Sequence, residues 1–280
     1  MTTLLKLLTF ALLTLSVQCN IDGYNTIKGE GEVSEKEISI SSFSELSAAN
    51  GWDVKLVQDS QDRIVVKANE NLLNELKIDE DGETLKISTE SRDNIGKADA
   101  KLVTVYFSGD VSRIKASSGV NMFADEQLNF GDLTLDSSSG SDVELNIKTG
   151  KLDCSSSSGS VMELKISSTD VVAKSSSGSR LDAAGKSNSL TGSSSSGSSM
   201  NLEGNTDNLD VSSSSGSNIN AENLMALSVK ANSSSGSRID VYPMETLDAS
   251  SSSGSSINYH NKPSKTITKD ASSGGSINSK

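Results

Sequence analysis

Histidine occurs once in this chain of 280 residues, cysteine twice, and Phe, Tyr and Trp together make up 4%. Each shortage excludes something. Two cysteines, Cys19 and Cys154, cannot build a disulfide-rich scaffold. With a single histidine they also fall short of a zinc site. A Ser-His-acid triad could draw only on His260, which sits in a polar stretch near the C-terminus, where a solvated loop residue is the plainer reading. No phosphate loop, dinucleotide fingerprint or Cys-x-x-Cys pair is present. With so few aromatic residues, a large globular core lacks its bulky material. Lysine and arginine number 25 against 37 Asp and Glu, a net charge of −12. Phosphate neutralisation needs clustered basic residues, so neither nucleic acid nor an acidic membrane surface is an expected partner.

What the chain has instead is one pattern, repeated from Ile114 onward. Its anchoring glycines are Gly119, Gly140, Gly159, Gly178, Gly197, Gly216, Gly236, Gly254 and Gly274, spaced by 21, 19, 19, 19, 19, 20, 18 and 20 residues. Self-similarity at such a period is the signature of a solenoid. Counting from each glycine, position −7 holds Leu133, Leu152, Val171, Leu190, Leu209, Val229, Leu247 or Ile267, with Ser112 the exception. Position −5 is mostly small or aliphatic, from Ile114 and Leu135 to Cys154 and Ala249, with Lys269 in the last copy. Positions +3 and +5 are apolar again, as in Val143 with Leu145 and Ile239 with Val241. This is period two, one face inward, and therefore strand. A helix would need apolar residues three and four apart, and the Ser-Ser-Ser-Gly run would sit badly in one.

Two short strands per copy, with almost no Asn-Gly or Asp-Gly turns, argue against a meander of hairpins. Each copy reads as one rung of a coil. The expectation is an all-β fold, a right-handed parallel β-helix with rungs of about 19 residues, since parallel crossovers are nearly always right-handed. Rungs about 4.8 Å apart would make nine of them a rod on the order of 40 Å long. The serines at −3 to −1 read as corner residues, with hydroxyls able to donate and accept along the rod axis, and glycine supplies backbone freedom. A narrow solenoid core suits small side chains, and Cys154 reads as a buried free thiol.

Residues 1–19 read as an export signal, with Lys6 followed by the apolar run 7–15, too short to span a membrane. Cys19 directly afterwards is a candidate for lipidation, although Gln18 stands where such signals carry a small residue; ordinary cleavage nearby is the alternative. Residues 20–37 read as a tether and 38–280 as a single β-helix domain, with 38–113 forming an N-terminal β-rich cap and first rungs, and 114–280 the regular repeats. No segment after the signal is apolar enough to span a bilayer, so any membrane link is expected only through a lipid anchor. Within 38–113, strands are expected around Val54, Ile64 and Tyr106, a helical turn around Leu72, and a hairpin joining Ile78 to Leu85 through Asp81-Gly82.

Several of these stretches resemble the head GIN domain family, named for auto-transporter adhesins. They are residues 43–46, then Gly51-Trp52-Asp53-Val54, residues 65–68, Asn69-Glu70-Asn71-Leu72-Leu73, Gly82-Glu83-Thr84-Leu85-Lys86-Ile87, and the Ser-Gly-Ser-x-apolar repeats. The resemblance covers roughly residues 35–280. It implies a single β-helix domain exported to the cell surface or beyond, and it brings no catalytic or ligand-binding residues with it.

One constellation invites a site. Position +4 reads Phe123, Glu144, Glu163, Asp182, Asn201, Asn220, Asp240, Asn258 and Asn278. Alternation puts these on the outer face as an acid and amide ladder. Their oxygens suit sugar hydroxyls or Ca²⁺; the plainer reading is a solvated face that keeps the sheet soluble. The calcium-binding Gly-Gly-x-Gly-x-Asp repeat is absent, and no cofactor other than Ca²⁺ is a candidate. Glycosidases pair carboxylates in grooves built by long loops, and rungs this short leave no room for them. The expectation is a non-catalytic surface module that binds a cell-surface glycan or protein. A structural envelope component without a ligand comes next, and a polysaccharide-active enzyme last.

Overall fold

The computed structural model describes residues 26–280, so the expected export signal and Cys19 lie outside the described residues. The fold is a parallel β-helix of about nine turns with rungs near 19 residues. Strands Asp142–Ser156, Val161–Ser175, Arg180–Ser194, Ser199–Ser213, Asn218–Ser233 and Arg238–Ser251 each run through two arms of a rung and the bend between them. Neighbours pair in parallel. Asp142 lies opposite Val161 and Ser156 opposite Ser175, with Gly150 skipped at the bend.

The inward positions are the expected ones. Leu152, Cys154, Val143 and Leu145 are all buried, as are their equivalents in the following rungs as far as Tyr259. Burial pushes the Cys154 thiol up to about 12, so it stays protonated and inert. Position +7 also faces inward. It holds buried Ile147 and Ile166, then Gly185 and Gly204. A Cβ on Gly185 would lie 1.8 Å from the Ile166 carbonyl oxygen, and one on Gly204 1.9 Å from that of Gly185. Their φ angles of 153° and 113° are ones that side chains avoid. Here the backbones of successive rungs close onto one another.

The Ser-Gly corner is a turn with two left-handed residues. Ser158 has φ 53° and Gly159 has φ 71°, and the Ser160 amide donates to the Ser157 carbonyl. Positive φ at both central residues defines a type I′ turn, which ordinarily closes hairpins. In this protein it turns a rung instead. The hydroxyls at −3 and +1 are buried, and their bonding is complete. Ser160 Oγ accepts the Ser157 amide at 3.0 Å and meets Ser156 Oγ at 2.9 Å. It can donate its own proton to the Ser137 carbonyl of the preceding rung at 2.9 Å. A hydroxyl has one donor and two acceptor sites, and all three are used. The same set recurs at Ser179, Ser198, Ser217, Ser237 and Ser255. The axial link therefore runs from hydroxyl to backbone carbonyl, not from serine to stacked serine.

The N-terminal part departs from the repeats. Residues 33–37, expected within a tether, instead begin strand Val33–Ser39, which pairs antiparallel with Arg63–Asn69. The reason is that this segment completes one end of a sheet whose next strand would otherwise be an open edge. Arg63–Asn69 pairs antiparallel with Lys101–Phe107, which then runs parallel to Asp53–Gln58 and onward into the rungs. The other sheet switches direction likewise: Leu76–Asp81 and Thr84–Thr89 form the expected hairpin, and Thr84–Thr89 runs parallel to Glu45–Ala48. Helix Glu70–Glu75 joins the two sheets and buries Leu72. Trp52 is fully buried, and its indole N–H donates to the Ser88 carbonyl at 3.2 Å. One hydrophobic cluster runs from Phe43 to Tyr259 without a break.

Candidate functional site: the polar row on the outer face

Strand register assembles the +4 residues into one row. Glu144 lies opposite Glu163, Glu163 opposite Asp182, Asp182 opposite Asn201, and Asn201 opposite Asn220. Asp240 and Asn258 continue it. The surroundings change along the row. Glu144 and Glu163 are exposed, and Asp182, Asn201 and Asn220 are half-buried. All five line a concave groove of about 420 Å³, together with Arg180, Lys165, Glu203 and Asn223, and with the aliphatic Leu145, Leu164 and Leu202. Asp125 stands at its end, paired with Lys55.

Asp240 and Asn258 depart from the expected outer face: both are buried. The cause is a local cluster. Arg238 clamps Asp240 with Nε at 2.6 Å and Nη2 at 3.0 Å, and Asn258 Nδ2 donates to it at 3.0 Å. His260 Nε2 sits 3.1 Å from the same carboxylate and 3.7 Å from Glu222. His260 is thus half-buried over the row, not a solvated loop residue. Burial pushes the Asp240 carboxyl up, but the bonds from Arg238, His260 and Asn258 outweigh it and hold the group below its usual range.

Asp182 has the same partners without the cover. Arg180 reaches it through Nε at 2.8 Å and Asn201 through Nδ2 at 2.5 Å, yet its side chain stays 24% exposed where that of Asp240 is 7%. A carboxylate fixed in orientation by a guanidinium and an amide, and still open to a groove, keeps free lone pairs for donors on a ligand. Among the described residues no group of three or more His, Cys, Asp or Glu comes together to hold a metal ion.

Sequence reasoning missed a second surface at the bend opposite the serines. Met225, Leu227 and Met244 are exposed there, beside a groove of about 530 Å³ that includes Ser167, Lys186 and Asn205. The available signal was the 20-residue spacing from Gly216 to Gly236: the extra residue appears as a register shift between Asn220 and Asn223 against the preceding rung, after which Leu224 and Ala226 face inward and Met225 and Leu227 outward.

The model of the family described as "putative auto-transporter adhesin, head GIN domain" matches residues 42–185 and 165–263, and the chain belongs to that family. A search of curated proteins finds no match. Among solved structures, a putative adhesin from Parabacteroides merdae superposes with a TM-score of 0.70 at 20% identity, over 91% of this chain and 99% of that one. A putative lipid binding protein from Parabacteroides distasonis gives 0.67 at 22%, over 91% and 100%. A putative adhesin from the same organism gives 0.68 at 18%, over 91% and 100%. At these identities the likeness concerns the fold.

Proposed function

We propose that the protein is exported and acts at the cell surface as a non-catalytic binding module, holding a glycan or protein surface in the groove along the +4 row. The observation that carries this reading is the Arg180–Asp182–Asn201 cluster: an oriented, half-exposed carboxylate in a concave site, flanked by amides and hydroxyl-compatible acids. Asp and Asn bind sugar hydroxyls or peptide amides by direct hydrogen bonds. The adhesin-type family supports a surface location. The apolar run at residues 7–15 supports export, and Cys19 supports a lipid tether. Any Ca²⁺ at Glu144 and Glu163 would need further oxygens from Asn146 or from the ligand. A glycan array probed with soluble residues 20–280, with and without Ca²⁺, tests the reading. Retention that Asp182→Ala and Asn201→Ala abolish, without released sugar, is the expected result. Sugar release would make the protein an enzyme. A blank array would direct attention to protein partners and to a structural role in the envelope.

A second reading is favoured by the exposed methionines and by the solved relative named as lipid binding. Strand register stacks Lys148, Ser167, Lys186, Asn205 and Met225 into one outer row. The row is cationic at one end and apolar at the other, as an anionic amphiphile requires. Co-sedimentation with anionic vesicles, lost in Met225→Ser/Leu227→Ser, would favour this surface over the groove.

A further inference from the structure

The rung formed by Thr266–Ala271 and Ser276–Ser279 pairs on one side only, with Arg238–Ser251 and Ser256–Tyr259. Among the described residues nothing covers its outer edge. Every residue of Thr266–Ala271 is exposed, and Ile267, at an inward position, is 37% exposed. Unpaired backbone groups beside exposed aliphatic side chains are a template for another strand. The natural occupant of such an edge is a second copy of the same chain, stacked core upon core.

One residue opposes this. Lys269 occupies position −5, the inward row that Leu135, Cys154, Ala173, Val211 and Ala249 fill with buried apolar side chains. Its strand partner in the rung below is Ala249. The side chain lies across Tyr259: Nζ donates to the tyrosine hydroxyl at 2.7 Å and sits 4.4 Å from the ring centroid. Tyr259 is buried, at the inward +5 position. The ammonium is therefore spread over the open end of the core and kept in water. A rung added on top would strip that water away. Alternation holds Asp270 on the outer face, so a second copy stacked core to core brings no acid, only its own Lys269. Burying an ammonium without an opposite charge is strongly unfavourable.

We propose that Lys269 is an edge guard: it keeps a second copy of the chain from stacking on this end of the rod, so that the protein works as a discrete unit and not as a subunit of a filament. The opposite end is closed differently, by antiparallel strands and by Glu35, Lys36 and Glu37 on Val33–Ser39. Removing the guard should thus favour tail-to-tail pairs, with closed two-fold symmetry, over open fibres.

Sedimentation velocity on the full chain and on Lys269→Val, Lys269→Met and Lys269→Arg tests this, with far-UV circular dichroism as the folding check. Wild type and Lys269→Arg should be monomeric over a wide concentration range. Lys269→Val, or Lys269→Met where valine disturbs folding, should double in mass. Adding Ile267→Lys to either variant should restore the monomer by returning a charge to the inward face. A wild type that already dimerises through this edge overturns the proposal. So does a folded Lys269→Met that stays monomeric, or a dimer that survives Ile267→Lys.

Discussion

At the Ser-Gly corner, seven successive rungs make the same turn, with serine φ between 53° and 55° from Ser139 to Ser253 and glycine φ between 68° and 71° from Gly140 to Gly254. The opposite bend changes along the rod. Thr149 closes one rung by donating to the Gly131 carbonyl, Gly185 and Gly204 bring backbones together in the middle, and register shifts loosen the later rungs. The difference shows how the rod divides its labour. The serine spine satisfies its own buried hydroxyls and adds a tie from each rung to the one before it. The other side varies more, and the polar-row groove and the exposed methionines occur there and on the arm leading to it, while a smaller groove of about 280 Å³ runs along the serines.

If the bend at Gly185 and Gly204 is held by backbone contact, Gly204→Ala should have the largest effect of any small substitution. The new methyl must displace a carbonyl, and a loss of about 3 kcal/mol is expected by urea denaturation. At the serine spine Ser198→Ala removes the hydroxyl that meets buried Ser194 Oγ at 2.9 Å and can donate to the Ser175 carbonyl at 2.8 Å, and about 2 kcal/mol should be lost. A loss well under that would mean the spine is decorative. Gly216→Ala isolates the conformational cost, since nothing lies within 4 Å of the added methyl. The left-handed backbone alone should cost roughly 1 kcal/mol. Smallest of all, Met225→Ser on the variable side should change the unfolding free energy by no more than about 0.5 kcal/mol. A larger change would show that the exposed cluster is part of the core.

Much of the architecture was legible because a strand alternates strictly. Once the glycines were aligned, inward Leu152 and Cys154 and outward Glu163 and Asp182 followed without further information, and so did the row that lines the groove. The head GIN resemblance rested on the cap motifs around Trp52 and on the repeats, and the family match covers both. Other features were not legible, for specific reasons. Asp240 and Asn258 obey the same alternation as Asp182, and Arg238 holds the same repeat position as Arg180, yet Asp240 and Asn258 are buried, because His260 folds over them from a stretch that carries no period. Residues 33–37 are charged and look like a tether, but a sheet edge recruits them. Position +7 escaped notice because its glycines look like turn residues until a carbonyl is found where their side chains would be.

The amino-acid order by itself determined the repeat length, the inward and outward rows, the Ser-Gly corner and the acidic surface. All of these follow from a two-residue period and a fixed glycine spacing, which are local properties of the chain. Only the tertiary structure decided which part of the polar row opens onto a groove and which is closed by His260, how the serine hydroxyls bond between rungs, where the cap reverses strand direction, and that Lys269 spreads over the exposed end of the core. Each of these depends on contacts between residues ten or more positions apart, and no local pattern specifies which of two equivalent positions a distant side chain will cover.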